Sequence, residues 1–160
     1  MKYIILVFLL SSISQITFSQ KYASWNYQAE CVDASIGSAT KVKITNFDKK
    51  TITDIDREKK MALHAILVKG AIGGSNCISQ PPLLQQSDID ENKSYFKALL
   101  GKKAYYNKYI ISVEEVQSNE LDKNKIKQRD EHSAIITVNK DLLRKDLTND
   151  KIIKSLNQGF

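Results

Sequence analysis

The chain has 160 residues, 24 basic against 18 acidic side chains for a formal net charge of +6, and 42% hydrophobic content. That balance belongs to a globular chain of one domain and excludes collagenous, low-complexity and disordered classes. The basic excess is nearly all lysine, with Arg57, Arg129 and Arg144 the only arginines, so it lacks the guanidinium forks that phosphate and nucleic-acid sites favour.

Residues 1–19 read as an address. Lys2 precedes an unbroken apolar run over 3–10, and a Ser-rich stretch leads to Thr17 and Ser19. Small residues at that spacing suit a signal peptidase. The run is far shorter than the ~20 residues of a membrane-spanning helix. The pattern predicts a signal peptide over 1–19, cleavage between Ser19 and Gln20, and a single domain over 20–160, exported to the periplasm or secreted. An uncleaved anchor is the alternative. No cysteine lies near the cut to carry a lipid, and no later stretch reads as a membrane span.

Trp25, Tyr27, Ala29 and Cys31 alternate with Asn26, Gln28 and Glu30, which predicts a half-buried strand over 24–32. After a turn-like run over 33–38, Val42 and Ile44 alternate with Lys41 and Lys43 in a second strand over 40–46. A hairpin is their natural joining.

A helix is predicted over 54–69, capped by Thr53 or Asp54, with Asp56 and Glu58 facing the dipole and Gly70 as its stop. Its apolar stripe is Ile55, Ala62, Leu63, Ile66 and Leu67. His64 reads as a residue of the core edge. The stretch 71–86 is irregular, punctuated by Gly73-Gly74 and by Pro81-Pro82. Long ordered connections are often functional, so Gly73, Gly74 and Gln80 are candidates for an interaction surface.

Ser87 opens a second helix with Ile89, Phe96, Leu99 and Leu100 inward and Gly101 as its stop. Tyr105, Tyr106 and Tyr109 follow. Tyrosine is favoured at interfaces, which makes Tyr105 and Tyr106 surface candidates. The favoured reading is that these rings roof the core, because Tyr109, Ile111 and Val113 continue as a strand. The clearest strand is 133–139, with apolar residues on both faces, as suits a central position. His132 before it reads as a surface histidine beside Asp130 and Glu131. Asn139 caps a last helix over 140–147 with Leu143 and Leu147 inward. A final turn carries Ile152, Ile153 and Leu156.

The predicted order is therefore β-β-α-α-β-β-α. This is an α+β fold: one small domain, an antiparallel sheet of about four strands, and two to three helices on one face.

Cys31 and Cys77 are the only cysteines. In an oxidising compartment an even count favours a disulfide, and closing so long a loop is worth about 4 kcal/mol of chain entropy. The rival is a nucleophilic Cys77 on the glycine-rich turn, with His64 or His132 as base. No metalloprotease, dithiol, serine-hydrolase, phosphate-loop or calcium-loop motif occurs. No catalytic, cofactor or metal residue is expected, and the chain reads as a non-enzyme. The cluster from Lys123 to Arg129 reads as a solvated loop and strand edge, with an anionic-polymer patch as its functional counterpart.

Two segments resemble a known group. One is Trp25-Asn26-Tyr27-Gln28-Ala29-Glu30-Cys31 with the helical Lys60-Met61-Ala62-Leu63-His64-Ala65-Ile66. The other is the tail Ile136-Thr137-Val138-Asn139-Lys140-Asp141-Leu142-Leu143-Arg144-Lys145-Asp146-Leu147, then Ile152-Ile153 and Gly159-Phe160. With Gly74, Cys77, Gln80-Pro81 and Tyr95-Phe96 they resemble uncharacterised exported proteins of Bacteroidota. That resemblance implies export. More distantly, the strand, the helix and the closing pattern are similar to the N-terminal domain of flagellar assembly protein T and related small lipoproteins. This implies a small α+β domain acting as an assembly or binding module in the periplasm. The lipid-anchor cysteine of those lipoproteins is missing here.

The sequence thus points to an exported binding or assembly-accessory domain of the bacterial cell envelope. Its expected partner is another envelope protein, not nucleic acid. One rival is an envelope enzyme built on Cys77. The other is a lysine-mediated binder of anionic glycans or lipid headgroups, whose binding would weaken with salt.

Overall fold

The computed structural model describes residues 25–33, 38–48, 54–101, 104–116 and 132–153. The segment 1–19 with its cleavage point, the lysine-rich 123–129 and Leu156 lie outside the described residues.

Strands β1 (Tyr27–Asp33), β2 (Ala39–Asn46), β3 (Ile110–Val116) and β4 (His132–Asn139) form one antiparallel sheet in the order β1-β2-β4-β3. The register follows from the apolar alternation. Val42 lies opposite both Cys31 and Ile136, and Ile44 opposite both Ala29 and Ala134. All six are buried, so a one-residue slip of any strand would turn its core set to solvent.

The other face carries polar neighbours. Thr45 Oγ1 and Ser133 Oγ are 3.1 Å apart, Ser112 Oγ donates to Thr137 Oγ1 at 2.8 Å, and Lys41 pairs with Glu114 at 3.4 Å. The expected central strand is β4, and it does sit between two others. Its outward Ile135 is only half-buried, however, so β4 is not covered by helices on both sides.

Helix α1 (Ile55–His64) starts where Asp54 Oδ1 accepts from the Arg57 amide at 3.0 Å. It lays Met61, Ala62 and Leu63 against the inner face. Residues 54–69 do not form one uniform helix. From Ala65 to Lys69 the chain widens into a π-turn, closed by a 2.7 Å bond from the Gly70 amide to the Ala65 carbonyl. The cause lies elsewhere in the chain. The amides of Leu83 and Leu84 each take a helix carbonyl, those of Ile66 and Leu67, both at 2.9 Å.

The second predicted helix is broken into α2 (Gln86–Glu91) and α3 (Lys93–Leu99). Asn92 leaves the helical region, and both its backbone amide and its side-chain amide donate to the Asp88 carbonyl, at 3.2 and 2.9 Å. A 3₁₀ helix over Tyr105–Tyr109 leads into β3. It is tied to α4 (Lys140–Asn149) through Asp146, which accepts from Tyr109 Oη at 3.0 Å and pairs with Lys108 at 2.7 Å. Asn139 Oδ1 caps α4 through the Leu142 amide at 2.9 Å, and Leu143 and Leu147 face inward as their spacing predicts.

Two polar residues depart from expectation. Glu58 is fully buried rather than serving the helix dipole at the surface, because α1 lies flat on β2 and β4. His132 pairs across 74 residues with Glu58, Nδ1 to Oε1 at 2.7 Å, while Asp130 and Glu131 lie outside the described residues. Among the described residues, Glu58 Oε2 has no hydrogen-bond partner. Burial pushes the carboxyl above the ordinary carboxylate range, against the opposing pull of His132.

Candidate functional site

The stretch 71–80, read as irregular loop, is a small hairpin fastened to the sheet edge. Ala71 and Gln80 exchange backbone bonds of 2.9 and 2.8 Å, and the Gly74 amide donates to the Cys77 carbonyl at 2.9 Å. Its first arm adds to β1 in parallel. The Ile72 amide donates to the Ala29 carbonyl at 3.0 Å, and the Cys31 amide to the Ile72 carbonyl at 2.8 Å.

A disulfide joins Cys31 of β1 to Cys77 of the returning arm. Both cysteines are therefore bonded, and neither offers a free thiol. The alternative of a nucleophilic Cys77 fails on that bond.

The glycines explain how close the two pieces come. A β-carbon at Gly74 would run into the Cys31 carbonyl and stand 3.0 Å from Glu30 Oε1. At Gly70, with φ of 79°, it would meet the Gln80 carbonyl at 2.9 Å. Gly70 thus both ends the π-turn and lets the chain pass beneath the hairpin.

The hairpin holds Gly73 in the open and leaves Gly74 and Gln80 half-buried. It also turns two isoleucines outward. Ile78 is 82% exposed and Ile72 is 52% exposed. The tyrosine candidates separate. Tyr105 is 52% exposed, whereas Tyr106 is 1% exposed and packs in the core with Tyr109. Tyr106 therefore belongs to the core reading, because a 3₁₀ turn stacks residues three apart and so puts Tyr106 and Tyr109 on one inward face. Tyr105 lies on the segment entering β3, at the opposite edge of the sheet from the hairpin.

Between the hairpin and the start of β1 runs a groove of about 670 Å³, whose walls include Tyr27, Phe47, Lys69, Ile72, Gln80, Pro81 and Pro82. Lys69 is delivered there by the π-turn. Its Nζ donates to the Tyr27 carbonyl and lies 4.1 Å from the centre of the Tyr27 ring. Burial lowers the lysine below its ordinary range.

Behind the groove, Tyr27 Oη and His64 Nδ1 share a 2.7 Å hydrogen bond. Trp25 meets the same imidazole edge-on at 5.7 Å. Burial, reinforced by the Lys69 charge, holds His64 down at about 4, so the ring is neutral near pH 7. Burial also pushes the Tyr27 hydroxyl upward. Tyr27 thus holds both neighbours, His64 through its hydroxyl and Lys69 through its carbonyl. Among the described residues no cluster of His, Cys, Asp or Glu is arranged to hold a metal ion, and no helix is long and apolar enough to cross a membrane.

Sequence reasoning reached the hairpin through its glycines and prolines but missed Tyr27, Phe47 and Lys69 as groove walls. They come from three places in the chain, and no local pattern links them. The widened helix end at Lys69 also has no signature of its own, since the carbonyls that open it are taken by Leu83 and Leu84.

No protein-family model, curated protein or solved structure matches this chain.

Proposed function

We propose that this protein is an exported binding or assembly-accessory domain of the bacterial cell envelope, and that it grips a partner protein through the hairpin 71–80. The observation that carries this reading is Ile78, 82% exposed on an element immobilised by a disulfide and by backbone bonds on both arms. An ordered arm that displays isoleucine has already met its own ordering cost, so contact area gained there converts well into affinity. A disulfide between described cysteines is compatible with an oxidising compartment. The resemblance to exported Bacteroidota proteins and to periplasmic assembly modules supports the same reading.

The test uses protein recovered from the cell envelope after mild cross-linking, wild type beside Ile78→Asp. The expected result is an envelope protein attached to the wild type and lost from the variant, with the N-terminus of both at Gln20. Equal attachment in both, or a full-length chain in the cytosol, would refute the reading.

A further inference from the structure

We propose that the groove beside β1 binds a monocarboxylate with an apolar body, its carboxylate on Lys69 and its body against Phe47, Ile72, Pro81 and Pro82. This goes beyond the partner reading, because it concerns a small ligand and needs only the isolated protein.

Size and chemistry agree. A groove of about 670 Å³ falls in the range of small-molecule sites, which are mostly apolar with a few placed polar groups. Among the described residues that line it, Lys69 is the one charged side chain.

Lys69 differs from four other lysines, Lys41, Lys59, Lys93 and Lys108, each of which faces a carboxylate within ion-pair distance. Among the described residues no carboxylate pairs with Lys69, whose contacts are the carbonyl and ring of Tyr27. An ammonium carries three donors, and the Tyr27 carbonyl takes one. The others, on an exposed side chain, are available to an anion entering the groove. The π-turn that brings this side chain over Tyr27 is of the kind often found at functional sites.

A single ammonium, with no arginine among the described lining residues, suits a monoanion better than a phosphate, which favours several donors or a guanidinium fork. Lys140 does not alter this count, because it donates to Gln80 Oε1 at 3.3 Å and does not itself line the groove.

The chain has one tryptophan, Trp25, and it touches the His64 ring that is bonded to Tyr27. Its fluorescence therefore reports on the groove wall. Purified protein is titrated with dodecanoate below its micelle concentration, beside dodecanol, dodecylammonium, dodecyl phosphate and a short peptide ending in phenylalanine. The expected result is saturable dodecanoate binding at least tenfold tighter than any of the four. Lys69→Met should weaken dodecanoate at least tenfold while leaving dodecanol unchanged, and Lys69→Arg should retain most of the affinity.

Equal binding of dodecanol or dodecylammonium, or an unaffected Lys69→Met, would overturn the proposal. Tighter binding of the phosphate or the peptide would overturn the choice of ligand class. Ile78→Asp should bind dodecanoate as the wild type does, since Ile78 is not part of the groove wall. Failure of the dodecanoate titration with an Ile78-dependent partner intact removes this inference alone.

Discussion

The two edges of the sheet solve one problem in different ways. An edge strand exposes a row of unpaired amides and carbonyls that invites pairing with another chain. At β1 the answer is covalent. The hairpin 71–80 adds an arm to the strand, and the Cys31–Cys77 bond locks it. At β3 the answer is charge and irregularity. Its register shifts between Ile110 and Ser112, and Glu114 and Glu115 face solvent. The β3 edge still exposes Tyr105 and Ile111, the latter turned outward by the register shift although its spacing from Tyr109 and Val113 predicted the inner face. The β1 edge exposes Ile72 and Ile78 on a covalently locked arm and frames a groove. The lock and the groove, more than the exposed side chains, are why the candidate site is placed at β1.

The largest effect that can break the contrast is removal of the disulfide. The bond spans 46 residues, and losing it should destabilise the domain by about 4 kcal/mol. Denaturant unfolding of Cys31→Ser/Cys77→Ser measures this. A loss well under 1 kcal/mol would mean that backbone pairing alone holds the hairpin.

The next effect is on pH dependence. His64 lies behind the β1 groove and titrates at about 4 when folded against 6.5 ordinarily. Between those values the unfolded chain binds more protons than the folded one, so stability falls as pH drops through that window. The full loss is about 3 kcal/mol. His64→Gln should flatten this acid limb in melts at stepped pH. An unchanged limb would place the titration elsewhere.

The smallest effect belongs to β3. Glu114, in its solvent-exposed pair with Lys41, should contribute less than about 0.5 kcal/mol. Glu114→Val should therefore leave the melting temperature almost in place but raise self-association in sedimentation at high concentration. If it stays monomeric, charge is not what guards that edge.

Most of the sheet was legible because period-two alternation is a local property. Val42 and Ile44, Ala134 and Ile136, and the helix positions Leu63, Leu67, Leu143 and Leu147 all face the core as their spacing implied. Gly70 and Asn139 end and begin their elements as such residues usually do. The disulfide was readable too, from an even cysteine count. Apart from that bond, what stayed hidden were the features that depend on a distant partner. Glu58 sits at a charged-looking helix start yet is fully buried, because β4 brings His132 to it. Tyr105 and Tyr106 are chemically identical neighbours, and only the 3₁₀ turn decides that one faces water and the other the core.

Residue pattern alone therefore settled the α+β class, the strands and most of the inward set, since burying one face of a strand or helix needs only the right period. Tertiary contact decided the order β1-β2-β4-β3, the π-turn and the groove. Each arises where groups far apart in the chain satisfy one another: Leu83 and Leu84 with the helix end, Ile72 with β1, the Lys69 ammonium with the Tyr27 carbonyl. Such pairings follow from the accounting of buried hydrogen bonds across the whole domain, which no local stretch of sequence carries.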